Sequence, residues 1–237
     1  MTGTALITGA SQGLGAETAA RLAAQGWTVW LGARDTDAGE AVAAGIRSSR
    51  PDADVRAVQL DVMNDASVAL AYAAVRHSGT GLDVLVNNAG VSGNPVPPAA
   101  TTADDVAAVF EVNVLGVVRV THAFLPLLRR ADSPRLVMVS SSLGSFTTVE
   151  SRDSRAVLAW GMVYPASKAA LNMITTMYAK ALPDVRVTAV APGFTATNLN
   201  GYSGTQTVAE GAEAIVEACV AAELPGTYVG RAGVLPW

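Results

Sequence analysis

The chain is poor in the residues that carry metal, disulfide and nucleic-acid chemistry. It has one cysteine, Cys219, and two histidines, His77 and His122, which lie far apart. A single thiol cannot close an intrachain disulfide, and this set has no metal-ligand spacing, so no metal is expected. Cys219 falls in a helical-looking segment and reads as a small core filler. His77 stands near a helix end before Gly79, where an imidazole meets exposed carbonyls. Charged residues make up only 15% of the chain, the formal net charge is −4, and there is no basic cluster. Nucleic acid and anionic membrane are therefore poor partners. The apolar runs read as too short to span a bilayer. Met1 leads almost directly into a strand, with no basic leader region or cleavage site, so a soluble cytoplasmic protein is expected. The run Ser140–Ser142 is not framed by a Gly-x-Ser-x-Gly elbow, which argues against a serine hydrolase.

What is present is apolar and periodic. Half of the 237 residues are hydrophobic, a composition for one folded domain rather than a disordered chain. Apolar runs at Thr4–Thr8, Thr28–Ala33, Val55–Leu60, Leu82–Asn87, Arg135–Ser140, Arg186–Ala191 and Thr227–Val229 read as strands. Several lack in/out alternation, as parallel strands buried on both faces do. Between them lie amphipathic stretches at Gly13–Gln25, Thr36–Ser49, Asp65–Ser78, Thr102–Arg130, Tyr164–Leu182 and Val208–Ala222. Thr102 and Asp105 have the spacing of a capping box, and Pro126 should kink or end the long fourth helix. Met173, Met177 and Tyr178 read as a packing stripe on the fifth. The alternation predicts a doubly wound, seven-stranded parallel sheet with helices on both faces. Irregular segments at 91–101, 144–163 and 193–207 each follow the C-terminal end of a strand, where ligands bind in such a sheet. They are the expected substrate loops.

The first strand runs into ThrGlyAlaSerGlnGlyLeuGly, Thr8 to Gly15, which opens the first helix. Gly9, Gly13 and Gly15 let the backbone turn tightly and approach a pyrophosphate at the helix N-terminus. At the end of the second strand an acid would bind a free ribose 2′-hydroxyl. Here Ala33 occupies that place and Arg34 follows. A guanidinium suits a 2′-phosphate, which favours NADPH over NADH. The alternative is that Arg34 is merely solvated and Asp35 selects.

Tyr164 precedes Lys168 by one helical turn, so both side chains leave the same face. A phenol acts as a proton donor near neutral pH when a neighbouring ammonium lowers its pKa from about 10. The spacing alone also fits a partly buried tyrosine beside a solvated lysine.

Taken together, the motifs resemble the short-chain dehydrogenase/reductases over essentially the whole chain. They are ThrGlyAlaSerGlnGlyLeuGly at 8–15, LeuAspVal at 60–62, AsnAsnAlaGly at 87–90, GluValAsnValLeuGly at 111–116, ValMetValSerSerSerLeuGly at 137–144, TyrProAlaSerLys at 164–168 and ProGlyPheThrAlaThr at 192–197. The 191–197 region and the terminal LeuProTrp look most like the NADPH-dependent carbonyl reductases. The resemblance implies a single Rossmann-type domain over 1–237 and a catalytic set of Asn113, Ser141, Tyr164 and Lys168. Tyr164 would protonate the carbonyl oxygen and Lys168 would depress its pKa and bind the nicotinamide ribose. Ser141, three before Gly144, would hold the same oxygen, leaving Ser140 and Ser142 as strand-end or loop hydroxyls. Asn113 would hold a water through a local backbone distortion and extend a proton relay. Cofactor contacts are implied for Gly9, Ser11, Gln12, Gly13, Leu14, Gly15, Arg34, Asp61, Val62, Asn88, Ala89, Gly90, Tyr164, Lys168, Pro192, Gly193, Thr195 and Thr197. Of these, Asp61 would take the adenine amino group, Asn88 would sit by the adenosine ribose, and Thr197 is a better donor than Thr195.

The expected activity is hydride transfer from NADPH to a ketone or aldehyde. The alternatives are an NAD-dependent alcohol dehydrogenase working oxidatively and a catalytically silent dinucleotide sensor. The stretch 145–161 lengthens the gap between Ser141 and Tyr164. Such insertions occur in the carbonyl-reductase branch, sometimes with a monomeric state, while the apolar fourth and fifth helices favour a homo-dimer or homo-tetramer. Trp160 reads equally as a lid residue or a core anchor. The short run after Gly193 implies an open cleft for a small or flat ketone rather than a long acyl chain.

Overall fold

The computed structural model describes residues 2–151, 153, 157–223 and 227–237; Arg152 and 154–156 of the lengthened loop lie outside the described residues. The strands are β1 Thr4–Thr8, β2 Thr28–Ala33, β3 Val55–Gln59, β4 Val84–Asn87, β5 Arg135–Val139, β6 Arg186–Ala191, β7 Tyr228–Gly230 and β8 Gly233–Val234. The helices are α1 Gly13–Ala24, α2 Thr36–Ser49, α3 Asp65–His77, α4 Ala103–Phe110, α5 Val117–Leu128, α6 Phe146–Ser151, α7 Val163–Ala181 and α8 Val208–Val220.

The strands form one sheet in the order β3-β2-β1-β4-β5-β6-β7-β8, parallel except for β8 against β7. One face packs on α1, α2 and α8 through Leu22, Ala43 and Ile215. The other packs on α3, α5 and α7 through Val68, Phe124 and Leu171. Apolar side chains on both sides of each strand explain why β1, β4 and β5 are buried along their whole length. Strand order reverses between β1 and β4, and a crevice opens at their C-terminal ends there.

Four expectations are corrected. The sheet has eight strands, because a turn at Gly233 (φ +110°) folds two residues back on β7. A two-residue strand shows no periodicity in sequence. The long fourth helix is α4 and α5 joined by a π-helical segment, Glu111–Gly116. Its Thr102–Asp105 capping box forms as expected, and the helix stops two residues after Pro126. Ala103–Leu128 is also long and apolar enough to cross a membrane by length and composition. Here it is a core helix, with Val109, Val117, Val120 and Phe124 buried, because a helix laid on an apolar sheet needs an apolar face. Lastly, Met173 and Met177 are exposed, at 64% and 57%, rather than packed; only Tyr178 of that stripe meets the core.

Candidate active site

Helix α7 brings Tyr164, Lys168 and Asn172, each one turn apart, against the end of β5. The Lys168 Nζ donates to the Val139 carbonyl at 2.9 Å. The Asn172 amide donates to the Gly144 carbonyl at 3.0 Å, and its Oδ1 accepts from the Ser140 hydroxyl at 2.5 Å. These buried polar pins lock the serine loop onto the helix. The contact requires glycine at 144, since a Cβ there would stand 2.6 Å from the Lys168 carbonyl carbon. Ser140 is therefore a strand-end anchor. Asn172 was not foreseen, although its place four residues after Lys168 was a legible signal.

Ser141 caps the short turn Ser142–Gly144, its Oγ accepting from the Leu143 N–H at 3.2 Å. Burial pushes the Tyr164 phenol up to about 12, a hydrogen bond from Ser141 pulls it down, and the nearby Tyr228 phenol adds to the rise. The Lys168 ammonium stands 5.8 Å from the Tyr164 ring centroid, and burial depresses it to about 8. The expected lowering of the tyrosine pKa by lysine is thus reversed in this state. Desolvation disfavours both charged forms and outweighs their attraction, while the ammonium is turned to Val139.

Asn113 is fully buried in the π-helical segment. Its Oδ1 accepts from the Val91 N–H at 2.9 Å, and its Nδ2 donates to the Val91 carbonyl at 2.9 Å and to Ser167 Oγ at 3.0 Å. The Ser167 hydroxyl in turn donates to the Tyr164 carbonyl at 2.8 Å. Asn113 thereby joins the first substrate loop to α7. Gly90 lies close by, where a Cβ would be 3.3 Å from Asn113 Oδ1 and 3.6 Å from Lys168 Nζ.

The cofactor cradle can be tested on its glycines. Gly9 (φ +63°) and Gly15 are held by packing: a Cβ would stand 2.8 Å from Ala89 Cα or 2.7 Å from the Gly9 carbonyl oxygen respectively. At Gly13 (φ +56°) a Cβ would make ordinary contact with the Thr197 methyl at 3.7 Å, so its left-handed backbone and not crowding calls for glycine. A left-handed turn at a helix start, beside Thr197, suits a pyrophosphate. Ser11, Gln12 and Leu14 complete this turn between β1 and α1. Thr195 is buried against Gly211, and its hydroxyl turns back to the Pro192 carbonyl at 3.5 Å. The Gln206 Oε1, beside Gly193, is a buried acceptor with no partner among the described residues, a further sign of a group to be bound.

Asn88 is committed to the turn, donating through Nδ2 to the Thr8 and Gly9 carbonyls at 2.8 and 3.1 Å. Asp61, beside buried Val62, accepts from the Met63 N–H at 3.0 Å through Oδ1. Arg34 is exposed at the end of β2, and Asp35 next to it caps α2, accepting from Asp37 and Ala38 N–H groups at 3.0 and 3.2 Å.

Over Tyr164 lies an aromatic wall. The half-buried Trp160 stacks on the tyrosine ring at 5.2 Å and 28°, and meets Phe194 edge-on at 6.0 Å. Gly161 (φ +66°) bends the chain against Pro95 and Val96, and the Ser92 hydroxyl donates to the Leu199 carbonyl at 3.0 Å. The three loops therefore touch around the crevice. From the far end of the sequence Tyr228 reaches the serine loop and Trp237 stacks on it; Trp237 belongs to the terminal LeuProTrp, while nothing local announced the contact of Tyr228.

A family model described as short chain dehydrogenase matches residues 3–208. The short-chain dehydrogenase anuI of Penicillium roqueforti is 37% identical over 220 residues, covering 90% of this chain and 86% of that protein. An alcohol dehydrogenase from Thermococcus sibiricus, solved with 5-hydroxy-NADP, has a TM-score of 0.83 at 26% identity and covers 97% of this chain and 96% of its own. A 3-ketoacyl-(acyl-carrier-protein) reductase from Brucella melitensis, solved with NADH, has a TM-score of 0.82 at 27% identity with the same coverage. Topology, site and likeness over nearly the whole length agree, and the chain belongs to the short-chain dehydrogenase/reductase family of oxidoreductases.

Proposed function

We propose that the protein is an NADPH-dependent reductase of a neutral ketone or aldehyde, with Tyr164 as general acid. The observation that carries this reading is the Ser141–Tyr164 pair at the crevice, with Lys168 one turn on. The bound nicotinamide supplies the hydride. Tyr164, protonated over the whole working range, donates its proton to the carbonyl oxygen as charge develops there. Ser141 donates a second hydrogen bond to that oxygen and fixes which face is presented. Lys168 spends one N–H on Val139 and has two left for the ribose and for the phenolate that forms. Both Asn113 Nδ2 protons are engaged, so a relay to solvent is assigned to a water held by the main chain of the π-helical segment.

Arg34 is read as the 2′-phosphate ligand, because it is exposed and Asp35 is occupied as a helix cap. Loops 91–101 and 193–207 contain no Asp, Glu, Lys, Arg or His, and the charges of the third, Glu150, Arg152, Asp153 and Arg155, precede Trp160 in sequence, so the reading here is a substrate held by apolar contact. The Trp160–Phe194 wall favours a flat apolar skeleton. Exposed Leu115, Val118, Met173 and Met177 on α5, α7 and the segment before α5 form the face proposed to pair in a homo-oligomer.

The test is NADPH oxidation against cyclic ketones, diketones, quinones and aldehydes, with NADH in parallel. Turnover with NADPH that falls by about 10²-fold or more in Tyr164→Phe, with NADPH binding retained, is expected. Turnover that survives the substitution would refute the assigned chemistry. Tight NADPH binding without turnover of any substrate would favour the sensor reading.

A further inference from the structure

Tyr228 lies on β7, outside every motif that defines the site, and is buried to 1% exposure. Its hydroxyl donates to the Ser141 main-chain carbonyl at 2.7 Å. The same carbonyl accepts from the Gly144 N–H at 2.9 Å, so both of its lone pairs are engaged. The Tyr228 ring stacks on Trp237 at 4.7 Å and 20°. Trp237 is itself tied down, its carbonyl accepting from the Thr147 hydroxyl at 2.9 Å and the Thr147 N–H at 3.4 Å. The Leu235 N–H closes the segment back onto the Tyr228 carbonyl at 3.0 Å. The chain after β7 therefore forms a strap, fixed to the sheet edge at one end and at the other to α6, the helix that follows the serine loop.

We propose that Tyr228 is a positioning residue for Ser141: its hydroxyl, held in place by the Trp237 stack, sets the backbone from which the Ser141 hydroxyl is aimed at the substrate oxygen. This rests on the role given to Ser141 above. The serine side chain accepts from the Leu143 N–H and is hydrogen-bonded to Tyr164, and both bonds are aimed from the Ser141 backbone. Asn172 holds Ser140 and Gly144 on either side of it, and the Tyr228 phenol anchors the Ser141 carbonyl between them and so steadies the Ser141 hydroxyl. Its aim matters because a hydroxyl misplaced by a fraction of an ångström loses much of its hydrogen bond to the developing charge.

Tyr228→Phe keeps the ring and its stack and deletes the hydroxyl. The expected result is a fall in kcat of about tenfold, the scale of one neutral hydrogen bond, with the KM for NADPH unchanged. Amide exchange should quicken at Leu143, Gly144 and Ser145 and stay unchanged elsewhere on β5 and α7. In a Ser141→Ala background the substitution should cost no further activity, since its effect passes through that hydroxyl. The same fold-loss in both backgrounds, or a faster loop with undiminished kcat, would overturn the proposal. Unchanged exchange in the loop would overturn it as well. If Tyr228→Phe does not fold, Trp237→Ala, at a residue that is 41% exposed, should reproduce the loop exchange and part of the kcat loss; a loop left unchanged there overturns the proposal. If the unmodified enzyme turns over no carbonyl, the proposed function fails on its own, and the exchange measurement still decides whether Tyr228 holds the loop.

Discussion

The Lys168 ammonium and the Val139 carbonyl, 2.9 Å apart, tie α7 to the last residue of β5. That bond holds a cation where water is excluded, and burial lowers its pKa from 10.5 to about 8.

Carbonyl reduction should therefore lose its Lys168 charge as pH rises through about 8, while Tyr164 stays protonated to about 12. The kcat/KM profile is expected to fall above pH 8, and Lys168→Arg should move that limb upward. The stability signs are opposite for the two groups. Between about 8 and 10.5 the unfolded chain binds more protons at Lys168 than the folded one, so stability rises with pH. Tyr164, raised from 10.0 to about 12, makes stability fall with pH across that window. A Tm that climbs from pH 8 toward 10 and then declines is the expected outcome.

Arg34 should decide the cofactor. Arg34→Ala is expected to raise the KM for NADPH by about 10- to 100-fold, the scale of charge-assisted bonds lost, and to leave NADH nearly unaffected. An equal effect on both cofactors would assign the choice elsewhere.

Gly144→Ala should damage the fold and the site together. The added methyl would stand 2.6 Å from the Lys168 carbonyl carbon and must push α7 from the serine loop. A destabilisation of about 1–3 kcal/mol is expected from overpacking, read from denaturant melts. Activity should fall even where the variant remains folded.

Trp160→Ala should separate substrates by shape. Removing the ring stacked on Tyr164 at 5.2 Å is expected to raise the KM for cyclic ketones by about tenfold and to leave a short aliphatic aldehyde near its original value. Equal losses for both would mean that Trp160 supports Tyr164 rather than the substrate.

Much of this was legible in the sequence because it is local. Apolar runs, Thr102 with Asp105, and Tyr164 with Lys168 are spacings of a few residues, and periodicity or capping turns them into structure directly. The distortion at Asn113 was expected only through the family resemblance, because no local periodicity or cap marks a π-helical turn. Glu111–Gly116 has an ordinary helical composition, and its extra residue per turn is tied to contacts made elsewhere, with Val62 packed on Gly116 and Val91 bonded to Asn113.

By itself the sequence determined the alternating sheet, the glycine turn and the spacing that sets Tyr164 and Lys168 on one helix face. Only the tertiary structure decided their electrostatics and their supports. The Tyr164 pKa goes up because burial strips water from phenol and ammonium alike, and burial belongs to the packed molecule. Asn172 under the serine loop and Tyr228 across from Ser141 act on partners distant along the chain. Hydrogen bonds of that range have no signature in residue spacing, because folding alone sets which groups become neighbours.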